Sequence, residues 1–148
     1  MNEIFMRYAL EEAKKAKELG EVPVGAVIVK DDIVIGKGHN MVETLKDSTA
    51  HAEMIAIKNA SNFLGNWRLN SCELYVTLEP CSMCAGAIIH SRLKGIYIGT
   101  FEPNGGACGS VLNILQNRYL KTYINVEWLY IDECSILLED FFKSKRIK

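Results

Sequence analysis

The stretches HAE (residues 51–53) and PCSMC (residues 80–84) decide how this chain folds and what chemistry it can hold. Together they offer one imidazole and two thiols, which are ligand types that zinc prefers, and one carboxylate that is not needed as a ligand. Structural zinc sites have four protein ligands, whereas catalytic sites have three and leave the fourth position to water or substrate. The set His51, Cys81 and Cys84 therefore predicts one catalytic Zn²⁺ ion per chain, with Glu53 as the group that moves protons.

The spacing within each stretch is consistent with ligands at helix starts. Cys81 and Cys84 are three positions apart, which puts both thiols on one face of a helix. Pro80 is favoured in the first turn of a helix, where the positive end of the dipole stabilises the thiolate that binds metal. Residues two apart point to different sides of a helix, so His51 and Glu53 converge only on a point beyond the helix end. The carboxylate then reaches the bound water and not the ion.

Apolar and β-branched runs predict five strands, and runs with three-and-four spacing predict helices between them. The predicted strands are residues 22–30, 33–38, 73–78, 95–99 and 125–129. The predicted helices are residues 3–19, 51–63, 80–91, 111–116 and 132–145, with residues 47–49 as N-cap candidates for the second. This order implies an α/β fold with one mixed five-stranded sheet and helices on both faces. Its first two strands are expected to be antiparallel and the later ones parallel.

The composition is typical of a globular protein, since 49% of the 148 residues are hydrophobic and 24% are charged. We expect a single domain over residues 1–148. The net charge of −1 excludes a strong overall basic field, so any contact with nucleic acid must come from a local patch. No apolar run is long enough to span a membrane, and the N-terminus lacks the apolar segment of a signal peptide. These features predict a cytoplasmic protein with reduced thiols.

Two other interpretations of the Cys-x-x-Cys pair are open at this point. A Cys-x-x-Cys pair alone could be a redox pair, although a redox pair would not need His51 and Glu53. A structural zinc site would need a fourth ligand, for which Cys72 and Cys108 are the candidates. Otherwise Cys72, Cys108 and Cys134 are expected to be buried apolar residues, with Cys108 nearest to a site because it lies in a glycine-rich loop. His39 and His90 lack ligand spacing.

The chain closely resembles the bacterial tRNA-specific adenosine deaminases, within the cytidine-deaminase-like superfamily of zinc deaminases. The stretches that carry the resemblance are GEVPVGAV (20–27), GHN (38–40), DSTAHAE (47–53), LYVTLEPCSMCAGAIIHSR (74–92), GGACGS (105–110), DEC (132–134) and FF (141–142). The zinc motif alone is shared by the whole superfamily. The long stretch at residues 74–92 and the glycine loop at residues 105–110 are more specific to the subfamily.

The resemblance implies a three-layer α/β/α cytidine-deaminase-like fold and the hydrolytic deamination of adenosine to inosine at the wobble position of a tRNA anticodon. It implies that zinc activates a water, that Glu53 transfers the protons, and that the adenosine leaves any base stack to reach the pocket. The implied partners are a tRNA anticodon stem-loop and a second copy of the chain in a homodimer. Two alternatives are a deaminase of a free base or nucleoside, such as guanine, cytosine or cytidine, and a non-catalytic zinc-bearing RNA-binding module.

The resemblance also suggests substrate contacts. It implies that Asn40 hydrogen-bonds the purine, that Val24 forms part of the pocket wall, and that Glu102 takes the place of an aspartate that contacts the RNA backbone or ribose. From the residues alone, Asn40 could instead hold a turn, Val24 could be plain core and Glu102 could be a solvated charge.

Two segments depart from the family pattern. The family's Asp-Pro-Lys is here Glu102-Pro103-Asn104, and its Asn-His pair is here Lys121-Thr122. Both segments belong to RNA binding in the family, so other contacts must compensate. The candidate RNA contacts are Arg118 and Lys121, together with Phe142, Lys143 and Arg146 near the C-terminus.

Overall fold

The computed structural model describes residues 2–146, apart from the side chain of Arg146. The helices are α1 (Asn2–Glu18), α2 (Val42–Leu45), α3 (Ala52–Leu64), α4 (Ser82–His90) and α5 (Asp132–Arg146). The strands are β1 (Gly25–Lys30), β2 (Ile33–His39), β3 (Cys72–Leu78), β4 (Gly95–Thr100), β5 (Gln116–Asn117), β6 (Thr122–Tyr123) and β7 (Asn125–Trp128).

The main sheet has five strands in the order β2-β1-β3-β4-β7. Strand β1 is antiparallel to both β2 and β3, whereas β3, β4 and β7 run parallel to one another. Strands β5 and β6 form a separate two-stranded ribbon. The mixed five-stranded sheet and the strand directions expected from the sequence are therefore confirmed.

Helices cover both faces of the main sheet. Residues of α3 and α4 pack with Ala26 and Ile28 of β1 on one face. Residues of α1 and α5 pack with Val27 and Val29 of the same strand on the other face. This alternation along β1 makes the strand buried on both sides, as its uninterrupted apolar run predicts. The three-layer α/β/α architecture is confirmed.

Two glycines of β2 let α3 lie directly on the sheet. A Cβ atom at Gly38 would come within 2.3 Å of the Ala52 carbonyl oxygen, and one at Gly36 within 2.6 Å of the Ala56 carbonyl oxygen. Any side chain at these positions would push the helix away. The contact at Ala52 fixes the start of α3, and the residue immediately before it is His51.

Several sequence-based boundaries were wrong. Residues 111–116 were expected to form a helix, but residues 111–115 form an irregular segment and Gln116 begins β5. The Val111 and Leu112 amides both donate to the Gly106 carbonyl oxygen, and the Asn113 side chain accepts from the Gln116 amide. These local bonds satisfy the backbone without a helix.

The helix starts also differ from those expected. The N-cap of α3 is His51 and not one of residues 47–49, and α4 begins at Ser82 with Cys81 as its N-cap. The short helix α2 was not predicted. None of the described helices is long and apolar enough to cross a membrane.

Candidate metal centre and substrate pocket

The starts of α3 and α4 bring the predicted zinc ligands together. His51 is the N-cap residue of α3 and Cys81 is the N-cap residue of α4, and both have an extended backbone. N-cap side chains usually bond the first-turn amides of their own helix, but neither His51 nor Cys81 does so. Their side chains are therefore free to meet each other beyond the two helix ends.

The distances among the three side chains fit a tetrahedral zinc ion. The His51 Nδ1 atom lies 3.7 Å from Cys81 Sγ and 3.6 Å from Cys84 Sγ. Tetrahedral zinc with ordinary bond lengths places a nitrogen and a sulfur ligand about 3.6 Å apart. All three candidate ligand atoms lie within 4.8 Å of one another. Within the described part of the chain, no other group of three or more metal-ligating side chains is this compact.

Neither candidate for a fourth ligand joins this group. Cys72 is buried at the other end of β3, where its thiol approaches the Asn70 carbonyl oxygen. Cys108 is buried closer to the site, with its thiol 3.9 Å from the Pro80 carbonyl oxygen. Both match the expected buried thiols, as does Cys134. A three-ligand site, which leaves one position for water or substrate, is favoured over a structural one.

Hydrogen bonds among the three ligand side chains shift the pKa of each of them. Contacts from Cys84 and His51 lower the pKa of the Cys81 thiol to about 3, although burial opposes this. The hydrogen bond with Cys81 raises the pKa of His51. The hydrogen bond to Cys81, reinforced by burial, raises the pKa of Cys84. Cys81 is therefore held as a thiolate, which is the form that binds zinc.

Glu53 lies beside the three ligands in the first turn of α3. Only 4% of its surface is exposed, and burial is the main cause that raises its pKa to about 7. A carboxyl group with such a pKa can accept and release a proton near neutral pH. The geometry matches the role of a proton carrier next to a metal site.

A cavity of about 770 Å³ opens in front of these residues. Its walls include every predicted substrate contact and, from the candidate RNA contacts, Phe142. The lining residues are Gly20, Glu21, Val22, Val24, Asn40, Val42, Glu43, His51, Ala52, Glu53, Leu78, Glu79, Cys81, Glu102, Phe141, Phe142 and Lys145. Cys84 is fully buried behind this wall.

Asn40 is held firmly at the edge of the cavity. Its side-chain amide donates to the Val22 carbonyl oxygen at 3.3 Å, and its side-chain oxygen accepts from the Val42 amide at 3.2 Å. Holding a turn and lining the pocket are thus compatible for this residue. Val24 is similarly both largely buried and part of the wall.

Three other candidate RNA contacts, Arg118, Lys121 and Lys143, are not among the residues that line the cavity. Arg118 is in the turn between β5 and β6, where its guanidinium lies over the Tyr119 ring, and Lys121 is exposed in the same turn. Lys143 is exposed on α5, and the side chain of Arg146 lies outside the described residues. Lys145, two positions beyond Lys143, does line the cavity and was not singled out from the sequence.

Two buried glutamates beside the cavity were also missed by sequence reasoning. Glu21 accepts hydrogen bonds from the Glu43 amide and from the amide and hydroxyl of Thr44, and so holds the start of α2. Glu79 accepts four hydrogen bonds from the loop of residues 102–110. The available signal was an acidic residue next to an apolar run, since Glu21 precedes residues 22–30 and Glu79 follows residues 73–78.

Comparisons with known proteins agree with this site. Residues 1–100 match the family model for the cytidine and deoxycytidylate deaminase zinc-binding region. The tRNA-specific adenosine deaminase of Aquifex aeolicus is 49% identical over 144 residues, which cover 97% of this chain and 95% of that protein. The corresponding Bacillus subtilis protein is 46% identical over 148 residues, covering 99% and 92%. A solved structure from a study of A-to-I editing by tRNA:A34 deaminases superposes with a TM-score of 0.87 at 42% identity, covering 90% of this chain and 98% of that one.

Proposed function

The chain belongs to the tRNA-specific adenosine deaminase family of zinc-dependent hydrolases, and we propose that it converts adenosine to inosine at the wobble position of a tRNA anticodon. The identity to two tRNA-specific adenosine deaminases over nearly the whole chain carries this proposal. The three-ligand cluster with a buried acid beside it supports a catalytic role over a purely RNA-binding one.

His51, Cys81 and Cys84 would hold the zinc ion. When bound, zinc supplies the Lewis acidity that makes water a nucleophile at neutral pH. Glu53 takes one proton from the attacking water and delivers it to N1 of the adenine. It then takes the second proton from the hydroxyl that has added at C6 and gives it to the departing amine. Attack at C6 and loss of ammonia leave inosine. Burial of Glu53 keeps bulk water from competing for these protons.

The cavity would take a single nucleotide that has left the base stack of the anticodon loop. Its volume lies within the range of small-molecule sites, about 300–1,000 Å³. Val24, Asn40 and Glu102 all line the cavity, which supports their proposed roles. Asn40 would hydrogen-bond the purine, Val24 would form part of the wall, and Glu102 would contact the ribose or the RNA backbone.

Lys145 would contact a phosphate of the bound RNA. Five carboxylates line the cavity, from Glu21, Glu43, Glu53, Glu79 and Glu102. Among the described lining residues, Lys145 is the one lysine or arginine, and its ammonium lies 5.4 Å from the centre of the Phe141 ring. RNA is a polyanion, so this cation would bind the backbone of the substrate. Phe142, which also lines the cavity, would stack on a neighbouring base. Arg118, Lys121 and Lys143, which do not line the cavity, would act outside it.

The proposal extends to the assembly and its setting. The partner is the anticodon stem-loop of a tRNA, and the protein acts as a single-domain homodimer in the cytoplasm, where tRNA is used. The family resemblance supports the dimer, as do exposed apolar side chains such as Phe63 and Trp67, which are 68% and 51% exposed. Sedimentation of the purified protein tests the dimer directly.

One experiment separates the proposed function from its alternatives. The zinc-loaded protein is incubated with an anticodon stem-loop that carries a wobble adenosine, with the same stem-loop carrying guanosine there, and with free guanine, cytosine, cytidine and adenosine. Inosine in the first RNA alone is the expected result. Ammonia from a free base or nucleoside alone would identify a small-molecule deaminase, and binding without product would identify an RNA-binding module.

A further inference from the structure

Glu79 is a buried carboxylate whose partners all come from one loop. Only 2% of its surface is exposed. One carboxylate oxygen accepts from the Glu102 amide at 2.9 Å and from the Ser110 hydroxyl at 2.5 Å. The other accepts from the amides of Cys108 and Ser110 at 3.0 and 3.1 Å. A carboxylate has about four acceptor sites, so this one is fully satisfied.

These four hydrogen bonds hold the loop of residues 102–110 around the Glu79 carboxylate. Glu102 and Ser110 are the two ends of the loop, and both bind the same carboxylate oxygen. The Ser110 hydroxyl also approaches the Glu102 carbonyl oxygen at 3.1 Å. A Cβ atom at Gly106 would lie 2.2 Å from the Glu79 carboxylate oxygen, so the loop is folded tightly around it. No ion pair found among the described residues includes Glu79, and backbone and hydroxyl dipoles alone offset its charge.

The loop held in this way is a wall of the substrate cavity. Glu102 lines the cavity and is anchored through its own amide to Glu79. The loop also bonds to the residue between Glu79 and Cys81, since the Ala107 amide donates to the Pro80 carbonyl oxygen at 2.9 Å. Glu79 itself does not belong to the candidate metal-ligand group.

We propose that Glu79 is a positioning residue, whose carboxylate fixes the 102–110 loop and thereby sets where Glu102 meets the RNA. This inference rests on the proposed function, because it gives Glu79 a part in binding the RNA substrate. A neutral amide in its place would keep the shape of the side chain. It would also turn an NH₂ group toward backbone amides that bond only to Glu79, and would leave those amides unpaired.

The test is Glu79→Gln in the zinc-loaded protein. Hydrogen bonds to a charged group are worth roughly 1.5–3 kcal/mol, so amide exchange at Glu102, Cys108 and Ser110 should accelerate by about tenfold or more. The KM for the anticodon stem-loop should rise by a similar factor, while zinc content stays at one per chain and kcat changes less than KM. Ser110→Ala, which removes one of the four bonds, should give smaller changes in the same direction and serves if Glu79→Gln does not fold.

The matched control is Glu12→Gln, which alters another buried glutamate that does not line the cavity and is bonded to Lys15 and His39. It should leave both KM and loop exchange unchanged. Unchanged exchange and KM in Glu79→Gln, or the same KM rise in Glu12→Gln, would overturn the inference. Loss of zinc with a fall in kcat would also overturn it, since Glu79 would then act on the metal site. If the wild-type protein does not deaminate the stem-loop, the proposed function is wrong, and so is the role of Glu79 in binding RNA. The amide exchange rates still decide separately whether Glu79 holds the loop of residues 102–110.

Discussion

Glu53 distinguishes a deaminase from a protein that only binds zinc. It is buried next to His51, and the candidate metal-ligand group does not include it. We predict that Glu53→Gln retains zinc and the fold but loses turnover by about 10²–10⁴-fold, the usual contribution of a general acid–base group. Metal analysis and single-turnover deamination of the stem-loop measure the two effects. A variant with full activity would remove Glu53 from the mechanism.

The second prediction for a single residue concerns Cys84, one of the three zinc ligands. Its thiol lies 3.6 Å from His51 Nδ1 and is fully buried, so nothing from solvent replaces it as a ligand. We predict that Cys84→Ala loses zinc and activity, because two protein ligands remain. Cys134→Ala is the control, since Cys134 is equally a buried free cysteine but belongs to the core beside α1. It should lose some stability and keep its zinc. Full zinc occupancy in Cys84→Ala would mean that the ligand set is wrong.

At the scale of elements, the packing of α3 on β2 determines where the ligands lie. We predict that Gly38→Ala costs about 1–3 kcal/mol of unfolding free energy, because its Cβ would overlap the Ala52 carbonyl oxygen. The shifted helix start should also weaken zinc binding through His51. Gly86→Ala in α4 is the control, since a Cβ there meets nothing within 4 Å and alanine favours the helix by up to about 1 kcal/mol. Denaturant unfolding and zinc titration measure both variants. If the Gly38→Ala and Gly86→Ala variants had equal free energies of unfolding, the close packing of α3 on β2 would be contradicted.

The contact between Glu12 of α1 and His39 of β2 leads to a prediction about how the free energy of unfolding depends on pH. Burial opposes ionisation of Glu12, but hydrogen bonds from Lys15 and His39 outweigh it and hold the pKa of this carboxyl below its usual value. A lowered pKa in the folded state adds stability that is present above the unfolded-state pKa and is lost as the pH falls through the folded-state pKa. The wild-type protein should therefore lose more unfolding free energy than Glu12→Gln between neutral pH and the acid limit of folding. Parallel stability curves for the two proteins would contradict this linkage.

Elements with one dominant local signal were predictable, and elements that depend on distant partners were not. The apolar run of β1 and the three-and-four spacing of α1 appear in the sequence itself, and both elements form there, although β1 begins at Gly25 and not at Val22. Residues 111–116 looked helical, but their amides bond back to the Gly106 region, which the pattern does not encode. Periodicity reports burial and not bonding partners, so it finds packed faces better than loops.

The same distinction holds for the candidate site. The zinc ligands could be found because three ligating residue types recur with a recognisable spacing. Glu79 looked like an ordinary charge at a strand end, although four donors from residues 102–110 surround it. Lys145 could not be separated from Lys143 by composition. Only the direction of α5 shows which of the two lines the cavity.

At the scale of the whole molecule, the protein must attract a polyanion although its net charge is −1 and five carboxylates line its cavity. A few cations must therefore provide the attraction, and among the described residues Lys145 is the lysine or arginine that lines the cavity. Lys143 lies on the same helix, carries the same charge and is exposed, but it does not line the cavity. Comparing substitutions of the two lysines therefore distinguishes a specific phosphate contact from a general effect of positive charge.

We predict that Lys145→Ala raises the KM for the anticodon stem-loop several-fold, with kcat and zinc content unchanged, and that Lys143→Ala changes KM less. A lysine that neutralises one phosphate releases its counterion, so the slope of log affinity against log salt concentration should fall by about 0.7 in Lys145→Ala for a single-stranded loop. Binding measured at several salt concentrations gives this slope directly. If both variants lost the same amount of affinity for the stem-loop, α5 would act through its overall charge. The assignment of a phosphate contact to Lys145 would then be wrong.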